Sequence, residues 1–136
     1  MSELKVDTLT GKTTANDITV TVGASATAKL EQGLCKAWHR YQTSASNLTL
    51  DSFNISSFTD SAVGKDTHSF TNSFDSVNFV LSGSGGRTLF VSIDDANTGT
   101  AGAASTTGSM PTIQYNYGGG LYDDNQANCM FSGDLA

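Results

Sequence analysis

The stretch Asp17–Val22, which reads D-I-T-V-T-V, is the clearest example of the pattern that recurs along this chain. Its apolar residues Ile18, Val20 and Val22 alternate with threonines, and a period of two is typical of a half-buried β-strand. Similar short segments recur at intervals of roughly ten residues, separated by turns rich in Ser, Asn, Asp and Gly. The pattern predicts an all-β fold, an antiparallel β-sandwich of jelly-roll-like or immunoglobulin-like type with an extended N-terminal strand or arm.

The same alternation divides the chain into an arm and a domain. Leu4 and Val6 alternate with polar residues in a first short strand, and Leu9 follows out of phase. We expect residues 1–22 to form N-terminal edge strands and residues 23–136 to form one sandwich domain, in which 23–30 is a loop or a short helix. Turns are predicted at Thr59–Asp66 and Gly83–Gly86. The predicted sandwich strands are Cys35–Tyr41, Leu48–Phe53, Asn54–Phe58, His68–Phe74, Val77–Leu81, Thr88–Ile93, Thr112–Tyr117 and Asn128–Phe131.

Composition excludes several classes of protein. Serine and threonine make up about a quarter of the 136 residues, charged residues are only 15%, and the net charge is −6. The seven Lys and Arg residues are scattered, whereas nucleic-acid binding through phosphates needs them clustered. No apolar run is long enough to span a membrane, and the N-terminus has no apolar signal-peptide core. We therefore expect a protein made in a cytoplasm, with no nucleic-acid or membrane partner.

The residues that usually carry chemistry do not form a recognisable motif. His39 and His68 are 29 positions apart, and Cys35 and Cys129 lie near opposite ends of the chain, so no metal-ligand spacing is present. We expect surface or sheet-facing histidines, reduced cysteines that act as small buried hydrophobes, and acidic pairs such as Asp123-Asp124 that form turns. These interpretations predict no enzyme activity, no catalytic residue, no metal and no cofactor.

The aromatic residues divide into two groups. Seven of them occur within 42 residues and are predicted to supply most of the core, since each aromatic side chain buries ~150–250 Å². The predicted core residues are Trp38, Phe53, Phe58, Phe70 and Phe79, together with Tyr41 and Phe74. The second group, Tyr115, Tyr117 and Tyr122, is a candidate platform for stacking on sugar rings.

One long segment lacks any large apolar side chain. Asp94–Ser109 reads D-D-A-N-T-G-T-A-G-A-A-S-T-T-G-S. Loops of this length are usually mobile or functional. Two interpretations stay open here: a solvated flexible loop, or a loop that becomes ordered only when a partner binds.

The segments Lys36-Ala37-Trp38 and Asp51-Ser52-Phe53-Asn54-Ile55-Ser56-Ser57-Phe58-Thr59-Asp60 carry a resemblance to a known family. Together with Phe70-Thr71 and the later strand Val77–Leu81, they resemble a module of tailed-bacteriophage virion proteins, notably tail-fibre-like and other structural proteins of marine phages. The resemblance covers residues 1–85 and, more weakly, the last few residues. His39-Arg40 departs from it, because apolar or amide residues are expected there.

This resemblance implies a non-enzymatic virion structural protein, a short fibre or capsid-decorating knob that is made in the host bacterial cytoplasm. It implies a homo-oligomer, with a trimer favoured, and contacts with other capsid or tail proteins. An N-terminal strand can add to the sheet of a neighbouring subunit; the other interpretation is that these strands close the domain's own sheet. The alternative function is a receptor- or glycan-binding adhesin tip. The candidate subunit contacts are Leu4, Val6, Leu9, Ile18, Val20 and Val22, and the candidate glycan contacts are Tyr115, Tyr117 and Tyr122.

Overall fold

The computed structural model describes residues 5–10, 18–22, 26–30, 33–44, 46–86, 88–93 and 104–136. Within these ranges the chain forms ten β-strands and no α-helix. No described helix is therefore long and apolar enough to cross a membrane. The strands are β1 Thr19–Val22, β2 Ala26–Lys29, β3 Ala37–Gln42, β4 Leu48–Phe53, β5 Ile55–Ala62, β6 Lys65–Phe70, β7 Val80–Gly85, β8 Thr88–Ile93, β9 Ser109–Asn116 and β10 Ala127–Ser132.

Eight of these strands build an antiparallel β-sandwich, which confirms the predicted fold class. The first sheet has the order β4-β3-β10-β7 and the second has the order β5-β6-β9-β8. Adjacent strands within each sheet run antiparallel. The chain crosses between the sheets after β4, β6, β7 and β9, so long-range contacts hold both sheets together.

The N-terminal part forms a separate compact unit, residues 1–34, and the sandwich is residues 35–136. In the first unit β1 pairs with β2, from Thr19 opposite Lys29 to Val22 opposite Ala26. Within the segment 23–30, where a loop or a short helix was expected, Ala26–Lys29 forms the strand β2. Residues 5–10 are not a strand, so the short strand predicted there is wrong for the part that the structure describes.

The sandwich core has an apolar end built from phenylalanines. Phe74 stacks on Phe79 with ring centroids 4.5 Å apart, and Phe70 meets Phe74 and Phe131 edge-on at 4.9 and 5.1 Å. Such edge-to-face and offset pairs are the favoured arrangements of aromatic rings. Phe58 is partly buried and packs against this core. The other buried apolar residues are Ala37, Tyr41, Val91, Met110, Ile113, Ala127 and Cys129.

Two residues that were predicted to lie in the core do not. Phe53 is 52% exposed, and Trp38 is only half-buried on the outer face of the first sheet. In β3 the buried residues are Ala37, His39 and Tyr41, so Trp38 points to the other side. Phe53 is paired with Trp38 and shares its face. The expectation fails because period-two alternation reports that two faces exist and does not report which face is covered.

The corner between β4 and β5 depends on Asn54. Its φ of 59° is the only left-handed non-glycine backbone among the described residues. The side-chain amide donates to the carbonyls of Lys36 and Asn72 at 3.1 Å, and its oxygen accepts from the Asn72 backbone N–H at 2.7 Å. Asparagine tolerates this conformation better than most residues do. At Asn54 the chain therefore leaves the first sheet and enters the second within a single residue.

Gly83 allows β7 to approach the opposite sheet closely. A Cβ at this position would lie 2.6 Å from Cβ of Val91 and 2.9 Å from the Asn128 carbonyl oxygen. Only glycine fits such an approach. The turn predicted at Gly83–Gly86 is thus largely strand, because β7 continues to Gly85.

Candidate functional site

A cluster of histidine and cysteine side chains lies between the two sheets. His39 is on β3, Cys129 is on β10 directly opposite His39, and His68 is on β6 of the other sheet. One potential ligand atom of each residue lies within 4.8 Å of those of the other two, and all three residues are buried. We call these residues the His-Cys cluster. The sequence predicted histidines on the surface or against a sheet and no metal site; the structure instead brings both imidazoles and one thiol to a single point of the interior.

The two imidazoles are linked to each other and anchored at their far ends. Nδ1 of His39 lies 3.0 Å from Nδ1 of His68, while Nε2 of His39 lies 2.9 Å from the Thr49 hydroxyl. Nε2 of His68 lies 3.0 Å from the Thr112 hydroxyl. Each ring nitrogen therefore has a polar neighbour, and both rings are held with their Nδ1 atoms facing one another.

Burial sets the ionisation of the cluster. It lowers the pKa of His39 from 6.5 to about 4, and burial with the neighbouring His39 lowers the pKa of His68 well below its ordinary value. Burial, reinforced by the charge of Asp66, raises the pKa of the Cys129 thiol. Both imidazoles are therefore neutral at pH 7, and the thiol keeps its proton when no cation is present.

A second group of buried polar side chains lies beside the cluster. Asp66 is 2% exposed, and burial raises its pKa to about 7. One carboxylate oxygen accepts a hydrogen bond from the Gln114 amide, and the other has no hydrogen bond of normal geometry. The buried Tyr41 hydroxyl also lacks a hydrogen bond of normal geometry, although its ring lies 4.8 to 4.9 Å from the His39 and His68 rings. Unsatisfied polar groups are costly in a core, so this region is the least apolar part of the interior.

The outer face of the first sheet carries a row of large side chains. Phe53, Trp38 and Met130 stand directly opposite one another on β4, β3 and β10. Phe53 is 52% and Met130 is 45% exposed. On the edge strand β7 the residue opposite Met130 is Ser82, and Val80, two residues before it, is 68% exposed. We call these four residues the outer row. A shallow depression next to it is lined by Trp38, Arg40, Ser82, Ser84, Asn128 and Met130.

The candidate glycan contacts belong to one hairpin. Tyr115 is on β9 and forms an isolated bridge with Leu121, so Tyr122 follows close to it, and Tyr117 is 86% exposed in the turn between them. Asp123 accepts a hydrogen bond from the Gly64 N–H at 2.6 Å. Asp124 is buried, and its carbonyl accepts from the Thr43 N–H at 2.9 Å. The two aspartates thus hold this segment to distant parts of the chain.

The candidate subunit contacts belong to the N-terminal unit. Val6, Leu9 and Val20 are 50%, 59% and 40% exposed, and Ile18 is half-buried. Val22 is placed in β1, but its side chain is outside the described set, as is all of Leu4. The long segment Asp94–Ser109 also falls mostly outside, since residues 94–103 are not described, and Ser109 begins β9.

The sequence gives a partial signal for the His-Cys cluster. The alternation around Cys35–Tyr41 puts His39 on the same face as Ala37 and Tyr41, which is the buried face of β3. The matching signal in β6 is weak, because its buried positions hold Asp66 and His68 as well as Phe70. No short-range pattern indicates that β10 pairs with β3 across 90 residues.

The fold and cluster define this chain as an antiparallel β-sandwich with a buried histidine-cysteine centre. Comparisons with protein-family models, with curated protein sequences and with solved structures found no match.

Proposed function

We propose that this chain is a non-enzymatic structural subunit of a phage virion, a short fibre or capsid-decorating knob that assembles as a homo-oligomer. The observation that carries the proposal is the outer row. Monomeric proteins rarely leave contiguous apolar patches exposed, and such patches commonly mark protein contacts. The resemblance of residues 36–60 to virion modules supports the location on a particle, and it favours a trimer.

The chemistry of the face suits a contact between copies. Arg40 and Asp51 stand opposite each other as the next pair on the same face of the sheet, beside the apolar pair Trp38 and Phe53. An apolar centre with charged residues beside it is the usual anatomy of a protein interface. The net charge of −6 keeps free subunits apart before assembly.

The test is the mass of the protein in solution. We expect the wild type to elute as a multiple of 14.2 kDa in size-exclusion chromatography with light scattering. The double variant Phe53→Ser/Met130→Ser should shift to the monomer mass with an unchanged circular dichroism spectrum. Tyr117→Ser, which removes a more exposed aromatic residue from a different surface, is the matched control and should keep the wild-type mass. A monomeric wild type, or a double variant that still assembles, would contradict the proposal.

A glycan-binding adhesin tip is the second candidate, and the exposure of Tyr117 favours it. An aromatic ring that is 86% exposed beside three glycines is accessible for stacking on a sugar ring. A glycan array should then show binding that is lost in Tyr117→Ala and weakened in Tyr115→Ala and Tyr122→Ala. Equal binding by wild type and Tyr117→Ala would exclude this platform.

A further inference from the structure

We propose that His39, His68 and Cys129 bind one zinc ion that joins the two sheets of the sandwich. The site is independent of the proposed assembly, because it lies in the interior of a single chain. Two imidazoles and a thiolate are a ligand set that zinc favours, and three protein ligands are the number found where zinc keeps one position open. The spacing of the imidazole nitrogens and the anchoring of both rings support this site.

The separation of the two imidazole Nδ1 atoms is close to the one that the ion needs, and the Cys129 sulfur lies beside the Nε2 side of His68. Zinc bonds of ~2.0–2.1 Å to nitrogen and ~2.3 Å to sulfur put tetrahedral nitrogen ligands about 3.3 Å apart, and nitrogen and sulfur about 3.6 Å apart. The two Nδ1 atoms are 3.0 Å apart, and Sγ of Cys129 lies 3.9 Å from Nε2 of His68. The imidazoles must separate by a few tenths of an ångström, and the sulfur must turn toward their Nδ1 atoms.

The hydroxyl groups of Thr49 and Thr112 can form hydrogen bonds with the two imidazoles both in the metal-free state and in the zinc-bound state. Without zinc, one Nδ1–H donates to the other Nδ1, and the rings are in opposite tautomers. With zinc on both Nδ1 atoms, each ring carries its proton on Nε2 and donates it to Thr49 or Thr112. A hydroxyl can donate or accept, so both states are satisfied. Anchoring of the distal ring nitrogen is the usual arrangement around histidines that bind metals.

Zinc binding changes the charge of the His-Cys cluster. Cys129 loses its thiol proton to solvent when it binds zinc, so that one Zn²⁺ and one thiolate leave a net charge of +1 at the centre.

The first experiment measures metal content and stability of the full chain. Because the cluster is buried, the protein is refolded from denaturant with Zn²⁺ or with a chelator, desalted and analysed by elemental mass spectrometry. We expect one zinc per chain, the release of one proton per zinc in weakly buffered solution, and a midpoint of thermal unfolding about 5 °C or more above that of the chelated protein. Refolding with Co²⁺ should give a sulfur-to-metal charge-transfer band.

Variants separate the site from general effects on folding. Cys129→Ser should weaken zinc binding roughly a hundredfold and abolish the charge-transfer band, while Thr112→Val should weaken binding about tenfold through the distal nitrogen. Cys35→Ser is the matched control and should behave as the wild type. If Cys129→Ser does not fold, the wild-type spectrum with Co²⁺ still decides the question. Wild-type protein that refolds without bound zinc, gains no stability from it and shows no cobalt-sulfur band would overturn the proposal, as would binding of Cu⁺ in place of Zn²⁺.

Discussion

Individual residues of the sandwich core contribute in two different ways, through apolar packing and through hydrogen bonds. At the apolar end, rings such as Phe70, Phe74 and Phe79 supply buried area and close packing. At the other end, His39 and His68 sit among Tyr41 and Phe58, with ring centroids 4.8 to 5.2 Å apart. Imidazole rings here pack like aromatic rings while their nitrogens are satisfied by threonines. The hydrogen bonds of the polar end therefore favour a single packing arrangement of the side chains. The burial of apolar surface at the phenylalanine end provides most of the free energy of folding.

Phe74→Ala tests the apolar end. Phe74 is 1% exposed, and its ring contacts both Phe70 and Phe79. Removing it should leave a cavity and lower the free energy of unfolding by about 3–5 kcal/mol. Urea denaturation measures this change. Val77→Ala, in the same segment but 52% exposed, is the control and should change the free energy by less than about 0.5 kcal/mol. Similar values for the two variants would mean that Phe74 is not a core residue.

The strands are easier to predict than their pairing. The bounds of β4 and β8 agree with the alternation at Leu48–Phe53 and Thr88–Ile93. By contrast, β5 and β6 extend into Thr59–Asp66, where a turn was expected, and only Val63 and Gly64 form the turn. The alternation of apolar and polar residues is hard to recognise in this hairpin, because Asp66 and His68 occupy buried positions that usually hold apolar residues.

The corner between β4 and β5 yields a prediction about Asn54. Asn54→Gly keeps the left-handed backbone but loses the side-chain hydrogen bonds, so the free energy of unfolding should fall by about 2 kcal/mol. Asn54→Ala loses the same bonds and also strains the backbone, which should cost about 1 kcal/mol more. Chemical denaturation of both variants measures the difference. Asn78→Ala, an exposed asparagine, serves as the control and should be near neutral; equal losses for Gly and Ala would show that the φ of 59° is unimportant.

As a whole molecule the chain consists of two compact units of unequal size. Every residue of the buried core cluster belongs to residues 35–136, and the first unit contributes the β1–β2 hairpin. A chain that is charge-poor and rich in hydroxyl groups can still build a stable core, because its aromatic residues are concentrated between the two sheets. Exposed apolar residues remain on both units, including Leu9 and Phe53.

A chain that begins at Cys35 tests this division. It should unfold cooperatively, with a midpoint within a few degrees of that of the full chain, because the core is intact. Circular dichroism during heating measures the midpoint, and light scattering of the same sample reports assembly. If the N-terminal unit contacts another subunit, the truncated protein should be folded but of lower mass than the full chain. Insoluble or non-cooperative protein would show that residues 1–34 belong to the sandwich.

The features that could be predicted from the amino-acid sequence are local ones. Period-two alternation and Ser, Asn, Asp and Gly turns predicted an all-β sandwich and placed most strands within a few residues, since side-chain direction in a strand depends only on neighbouring positions. The tertiary structure alone decided the pairing of β10 with β3, the exposure of Phe53 and the meeting of His39, His68 and Cys129. These depend on which face each sheet covers and on contacts between residues 29 to 90 positions apart, and local alternation carries no information about either.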